Sequence, residues 1–246
     1  MSYHWDWGNL LSAVPTGDPT TYLGWLIAGL EFTLAVSLSS WVIALLAGSL
    51  FGVMRTLPNR GLASVGAVYT AIFRNIPLIV QFFIWYLVIP DLAPPILGMW
   101  FKQLPPVVQF FSASIICLSL FTGARVCEQV RASIEALPRG QKAAAYALGL
   151  TLPQTYRYIL LPNAYRIIVP PLTSELLNTF KNSAVASTIG LLELSAQARQ
   201  IVDYTAQAYE AFISVTFAYF LINIMMIILM SWIEKKSRLP AYIGRP

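Results

Sequence analysis

Along this chain, long runs of apolar residues alternate with short polar connections. Phe32–Met54, Asn75–Pro90, Gln103–Ala124 and Ala211–Ile233 contain no Asp, Glu, Lys or Arg. A helix crosses the roughly 30 Å of bilayer hydrocarbon in about 20 residues. The second run reaches that length only if it extends back through Arg74 to about Ser64. A fifth apolar region, Ala164–Leu192, carries Glu175 and Lys181, so it reads as a span facing protein or water. The pattern predicts an all-α polytopic membrane protein with about five transmembrane helices, near residues 25–54, 64–90, 107–130, 164–190 and 211–233. A lead of residues 1–23 precedes them, a polar loop of residues 131–163 divides the third from the fourth, and residues 235–246 form a tail. No internal repeat emerges, which argues against a secondary transporter built from inverted halves.

Composition agrees. Of 246 residues, 57% are hydrophobic and 11% charged, against about 25% charged in soluble domains, and the mean hydropathy is +0.64. A net charge of +5 would suggest nucleic acid as partner in a soluble protein; here its distribution points to topology instead. With the N-terminus outside, the cytoplasmic segments hold Arg55 and Arg60, then Arg125, Arg131, Arg139, Lys142 and Arg157, then Lys235, Lys236, Arg238 and Arg245. The external segments hold Lys102 and Arg199, and the first 24 residues hold no Lys or Arg. That is the positive-inside asymmetry of an N-out, C-in protein. The N-terminal residues lack the basic and apolar regions of a cleaved signal, and Trp5, Trp7 and Trp25 suit the outer interface. Cys117 and Cys127 fall about 15 Å apart on one span, too far to bridge.

The polar loop carries the strongest local signals. Apolar residues at Ile134, Leu137, Ala144, Ala147 and Leu148 suit a cytoplasmic amphipathic helix pair. Gly149 stands where a helix C-cap needs a positive φ, Pro153 opens the next turn, and a second helix, Gln154–Leu161, is expected to stop at Pro162. Such a hairpin suits a groove in another protein, and equally an inner-leaflet surface met by Arg139, Lys142 and Arg157. Gly140, Gln141, Ala144, Ala145, Gly149, Ile159, Leu161 and Pro162 fall in the register of the cytoplasmic "EAA" loop of amino-acid ABC-importer permeases, with Ala143 where that pattern has Glu. Phe73–Gln81 resembles the F-R-G-T-P-L-L-V-Q run of the polar amino-acid permeases. The blocks Pro170–Glu175, Lys181–Ser183 and Ile189–Leu194 resemble their fourth span. The resemblance covers about residues 24–234. It is nearest to glutamate and aspartate permeases, in Trp5-Asp6-Trp7-Gly8 and Leu120–Ala145.

Ionisable groups inside a span are expensive and mark candidate functional sites. Arg74, three residues before Pro77, is placed to meet a carboxylate bidentately, or to pair with a loop carbonyl or snorkel inward. Glu175, Asn178 and Asn182 recur on one helix face as a stripe for a zwitterionic amino acid, Glu175 taking the ammonium, or as a hydrogen-bonded helix contact. Lys181 is a candidate to offset a substrate carboxylate. Glu128 and Arg131 read as a helix-surface ion pair. The sequence has no phosphate-binding G-x-x-x-x-G-K-[ST] run; His4, near the terminus, is the only histidine, so neither a Ser-His-Asp set nor a metal centre can be assembled.

The resemblance implies the ABC transporter type-1 permease fold and a transport subunit that is not itself an enzyme and carries no cofactor. Its implied partners are a homologous permease subunit in a dimer, expected as a heterodimer, two ATPase subunits docked on the loop, a periplasmic substrate-binding protein and membrane lipid. It would lie in the bacterial inner membrane and carry a polar amino acid, glutamate or aspartate. The competing classes are a stand-alone secondary transporter or channel, with Glu175 as a proton or cation relay, and a non-transporting scaffold.

Overall fold

A computed structural model describes residues 3–237; Arg238 and Arg245 of the basic tail lie outside the described residues. Among the described residues the regular structure is helical apart from a single antiparallel bridge, Ala13 to Thr21. In chain order the helices are α1 (Tyr22–Thr56), α2 (Arg60–Asn75), α3 (Leu78–Phe83), α4 (Ile89–Leu92), α5 (Pro95–Gln103), α6 (Pro106–Glu135), α7 (Arg139–Ala147), α8 (Leu152–Thr155), α9 (Leu161–Ser183), α10 (Leu194–Thr205) and α11 (Ala208–Ser237). Among the described residues α1, α6 and α11 are long and apolar enough to cross a membrane. The run from Arg60 to Leu92 counts as a fourth if its two parts are taken together. The expected span near 164–190 is the helix α9, which does not meet that measure: its apolar residues are interrupted by Pro170, Pro171, Glu175 and Lys181.

Two differences from the sequence reading concern proline. Pro77 does not merely kink a helix. It is extended (φ −54°, ψ 136°) and ends one helix before α3 starts, as the missing N–H and the restricted preceding residue dictate. The Gln81 side-chain amide donates to the freed Ile76 carbonyl at 2.8 Å. Pro162, conversely, does not stop the helix that precedes it. Residues Tyr156–Leu160 form a π turn in which the Leu161 N–H reaches back five residues to the Tyr156 carbonyl, and α9 continues through Pro162. The wider turn shifts the hydrogen-bond ladder just before the ring that would otherwise clash with it. Residues Ile84–Val88 form the same turn just before Pro90, with the Ile89 N–H bonded to the Ile84 carbonyl.

The chain divides into two compact units. The first comprises residues up to Val42, Ile76–Ser119 and Asn178–Ile224. One of its cores gathers Tyr22, Trp25 and Leu26 with Leu194, Ile201 and Val215; another gathers Val36, Phe82, Leu118, Ile189 and Leu191. Glu193, fully buried, caps α10. Its carboxylate accepts from the Ser195 and Ala196 N–H groups at 3.0 and 2.9 Å and from the Tyr219 hydroxyl at 3.0 Å. A helix N-terminus offers the donors and the positive dipole end that make such burial affordable. Gly190, at φ +107°, supplies the left-handed turn leading into it.

The second unit comprises Ile43–Asn75, Leu120–Leu177 and the chain from Met225. Here α1 lies directly on α6 through Gly48 and Gly52. A Cβ on Gly52 would stand 2.7 Å from Val130 Cβ and 2.8 Å from the Cys127 carbonyl oxygen; one on Gly48 would stand 2.6 Å from the Gly123 carbonyl oxygen. Small residues four apart permit this approach, which supplies packing where no hydrophobic effect acts between spans. The Tyr69 hydroxyl donates to the Leu120 carbonyl at 2.9 Å and fastens α2 to α6. Gly52→Val should destabilise the detergent-solubilised protein by about 1–3 kcal/mol through overpacking. Gly140→Ala, where an added Cβ meets nothing within 4 Å and Ala suits the helix better than Gly, should not lower the melting temperature. Equal melting temperatures for the two variants would contradict the contact.

Candidate functional site: the cytoplasmic loop and an arginine–glutamate cluster

Within the second unit the loop predicted from Gly140–Pro162 is a defined structure. The nine-residue helix α7 ends in two bonds, from the Gly149 N–H to the Tyr146 carbonyl (2.9 Å) and from the Leu150 N–H to the Ala145 carbonyl (3.1 Å). That pair is the Schellman motif, and Gly149 adopts the left-handed conformation it requires, φ +77°. An added Cβ at Gly149 would meet nothing within 4 Å, so the demand there is set by the backbone and not by packing. Thr151 then forms a capping box with Gln154, the Thr151 N–H donating to Gln154 Oε1 at 2.8 Å. The next helix is tied to the end of α1 by the Tyr156 hydroxyl, which donates to the Thr56 carbonyl at 2.8 Å.

The loop residues sort into two faces. Ala145 is buried, and Gln141, Ile159 and Leu161 are half-buried; the Asn163 amide reaches Gln141 Oε1 at 3.5 Å and the Ile159 carbonyl at 2.9 Å. Gly140, Ala144, Gly149 and Pro162 are exposed. Beside them stand Tyr146 and Leu148, the latter 80% exposed, a protruding apolar pair at the tip of the hairpin. Beneath α7 a cavity of about 260 Å³ is bordered by Arg55, Glu135, Arg139, Lys142 and Tyr156.

A second cluster gathers charges from α1, α2, α6 and α9. Glu128 is its hub. Its carboxylate takes Arg55 Nη1 at 2.6 Å, Arg74 Nη1 at 3.5 Å, and Arg131, which also pairs with Glu135. Arg55 donates as well to Thr70 Oγ1 at 3.2 Å. Arg55, Thr70, Arg74, Asn75 and Glu128 border a cavity of about 270 Å³. Nearby, Glu175 Oε1 lies 3.9 Å from Arg125 Nη1. The Arg125 guanidinium sits 4.9 Å above the Phe121 ring.

Of the predicted pathway residues, Arg74 pairs with Glu128 and Glu175 stands against Arg125. Asn178 and Asn182 are half-buried and Lys181 is exposed, on the part of α9 that belongs to the first unit. Arg55, Arg125 and Glu128 were not anticipated in this role. The signal for Glu128 lay in its spacing to Arg131 and Glu135, three and seven residues on, which puts one charged stripe on a helix. Its reach to Arg55 and Arg74 is tertiary and leaves no trace in spacing.

A model of the binding-protein-dependent transport system inner membrane component matches residues 23–239. This chain belongs to that family. The family member is a multi-pass membrane permease, a transport subunit and not an enzyme. It is 58% identical over 245 residues, 99% of both chains, to the glutamate/aspartate import permease protein GltJ of Escherichia coli K12. It is 28% identical over 235 residues, 96% of this chain and 99% of the other, to the glutamate/aspartate import permease protein GltK of Escherichia coli O6:H1. A chain in the crystal structure of an amino acid ABC transporter with histidines superposes with a TM-score of 0.73 at 30% identity, covering 87% of this chain and 95% of that one. An inward-facing MetNI methionine ABC transporter chain shares the fold, with a TM-score of 0.71 at 21% identity and coverage of 87% and 96%. The all-α type-1 permease architecture expected from the sequence is thus the fold observed.

In this permease Glu128 compensates three guanidiniums. Glu128→Gln removes the charge and turns amide hydrogens towards arginines, at an expected cost of about 1–3 kcal/mol. Glu135→Gln, at a half-exposed carboxylate, should cost far less. Thermal unfolding in detergent tests the pair; equal effects would show that Glu128 is no hub.

Proposed function

We propose that this chain is one membrane half of an ATP-driven importer of acidic amino acids, glutamate and aspartate, in a bacterial inner membrane. The full-length likeness to the glutamate/aspartate permease protein GltJ supports the substrate. A second glutamate/aspartate permease protein, GltK, is also similar to this chain, which supports a heterodimer of like permeases over a dimer of one chain. Two ATPase subunits bind from the cytoplasm and a periplasmic binding protein delivers substrate. The proposed domain spans residues 24–234 with five membrane crossings, after a periplasmic lead of residues 1–23 and before a cytoplasmic tail of residues 235–246.

The observation that carries this reading is the Schellman-capped helix α7 presenting Tyr146 and Leu148 to solvent. An exposed apolar tip on a capped hairpin fits a groove in another protein. Gly140, Gln141, Ala144, Ala145, Gly149, Ile159, Leu161 and Pro162 form the coupling loop: Ala145, Ile159 and Leu161 root it, and Ala144 and Gly149 lie on its docking side. ATP-driven closure of the partners moves the loop, and through the Tyr156–Thr56 bond the end of α1, so that the permease alternates between inward- and outward-facing states. Arg74, Glu175, Asn178, Lys181 and Asn182 line the proposed substrate path.

Gly149→Val puts a β-branched residue at φ +77° and costs about 1–2 kcal/mol in the cap. Uptake of labelled glutamate should be lost while the protein still inserts in the membrane, and Gly149→Asn, which tolerates that conformation, should retain uptake. Wild-type uptake by a well-expressed Gly149→Val protein would overturn the docking role.

A further inference from the structure

The cavity beneath α7 is charged at its rim and apolar at its floor. Three cations border it, Arg55 from the last turn of α1 and Arg139 and Lys142 from the first turn of α7. Arg55 is committed to Glu128 at 2.6 Å. Glu135, the carboxylate that also borders the cavity, is held by Arg131. Among the described residues neither Arg139 nor Lys142 takes part in an ion pair. Lys142 stands 6.0 Å from the Tyr146 ring centre, the outer limit of a cation–π contact. The floor has another character: Ile134, Leu137 and Leu160 are buried there. The walls are the last residues of α1 and α6, two helices long and apolar enough to cross a membrane. The cavity therefore opens where two spans end.

We propose that this cavity binds the phosphate headgroup of an anionic phospholipid of the inner leaflet. The site goes beyond the importer reading and takes from it the cytoplasmic side of the loop. Basic pockets between the cytoplasmic ends of spans suit anionic headgroups, because the leaflet holds the phosphate beside them and the side chains supply the charge. The phosphodiester oxygens take Arg139 and Lys142 by charge-assisted hydrogen bonds, and the glyceryl group covers Ile134 and Leu137. A soluble phosphate meets the same cations but leaves that apolar floor wet, which favours the lipid. A carboxylate of the ATPase fits less well. The cavity lies at the first turn of α7, whereas the exposed Leu148 stands just past its last turn, about 10 Å further along the helix axis. A seated headgroup joins the first turn of α7 to the end of α1, beside the bond from Tyr156 to Thr56.

The test uses the transporter purified in detergent with the subunits that accompany it. Its melting temperature is followed during titration with phosphatidylglycerol, phosphatidylcholine or inorganic phosphate. Phosphatidylglycerol should stabilise wild type with a saturable dose dependence, and phosphatidylcholine, whose headgroup is zwitterionic, should not. Arg139→Gln and Lys142→Gln should each weaken the apparent affinity for phosphatidylglycerol about fivefold, the order for one Lys or Arg at an anionic surface. Arg157→Gln removes the same charge from the same hairpin, at an exposed residue that does not border the cavity, and should leave the affinity unchanged. An equal loss in Arg157→Gln reduces the effect to general surface charge and overturns the site, as does equal stabilisation by phosphatidylcholine. Equal stabilisation by inorganic phosphate overturns the lipid as occupant. Unchanged affinity in both Arg139→Gln and Lys142→Gln overturns the proposal, and loss of the ATPase from those variants then assigns the cavity to that partner. A preparation that binds phosphatidylglycerol as expected yet holds no ATPase overturns the importer reading and leaves the site intact.

Discussion

Charge compensation around Glu128 is the constraint on which the rest of the second unit depends. Guanidiniums from α1, α2 and α6 converge there in a protein where each buried charge must be paired or returned to water. One carboxylate serves three of them, which allows arginines to be concentrated where a less compensated span would exclude them. Arg55 stands in two places at once, bordering both the cavity under the cytoplasmic loop and the cavity that holds Arg74. The root of the coupling hairpin and the candidate substrate cluster therefore share a side chain. A displacement of α1 at Thr56, where Tyr156 grips it, moves Arg55 and with it the partner of Glu128.

Pro77, Pro90 and Pro162 are handled in two ways, while Pro170 and Pro171 lie inside α9. At Pro77 the helix ends and Gln81 takes over the stranded carbonyl. At Pro90 and Pro162 a π turn intervenes and the helical path goes on. The difference lies in the preceding turn: an extra residue there moves the backbone bonds out of register with the ring, whereas an extended Pro77 has no such turn before it. Such π turns are weak points in a helix and recur at functional positions. The one before Pro162 joins the coupling hairpin to α9, which bears Glu175.

Much of this was legible in the sequence, for reasons that can be named. Charge-free runs longer than a bilayer marked α1, α6 and α11. The need for a left-handed residue at Gly149 could be inferred from its position after an amphipathic run, because a helix cap is a local, backbone-determined feature. The cap of α10, Glu193, sits in a block already noted for its likeness to amino-acid permeases. What could not be read were the tertiary choices. Spacing sees Glu128 with Arg131 because both lie on one helix; Arg55 is 73 residues from Glu128 in sequence and meets it only once α1 packs on α6. The continuation of a helix through Pro162 was hidden for a related reason: a π turn is chosen by packing, and no residue announces it.

If the exposed tip of the hairpin docks an ATP-hydrolysing partner, Leu148 lies in contact with that partner. A photo-reactive amino acid placed at Leu148, 80% exposed, and another at Leu92, 76% exposed at the end of the Ile89–Leu92 helix, would be irradiated in native membranes. The Leu148 variant should form a covalent adduct with an ATPase subunit, and the Leu92 variant none. A stable Leu148 variant that yields no ATPase adduct, or one matched by Leu92, would contradict it.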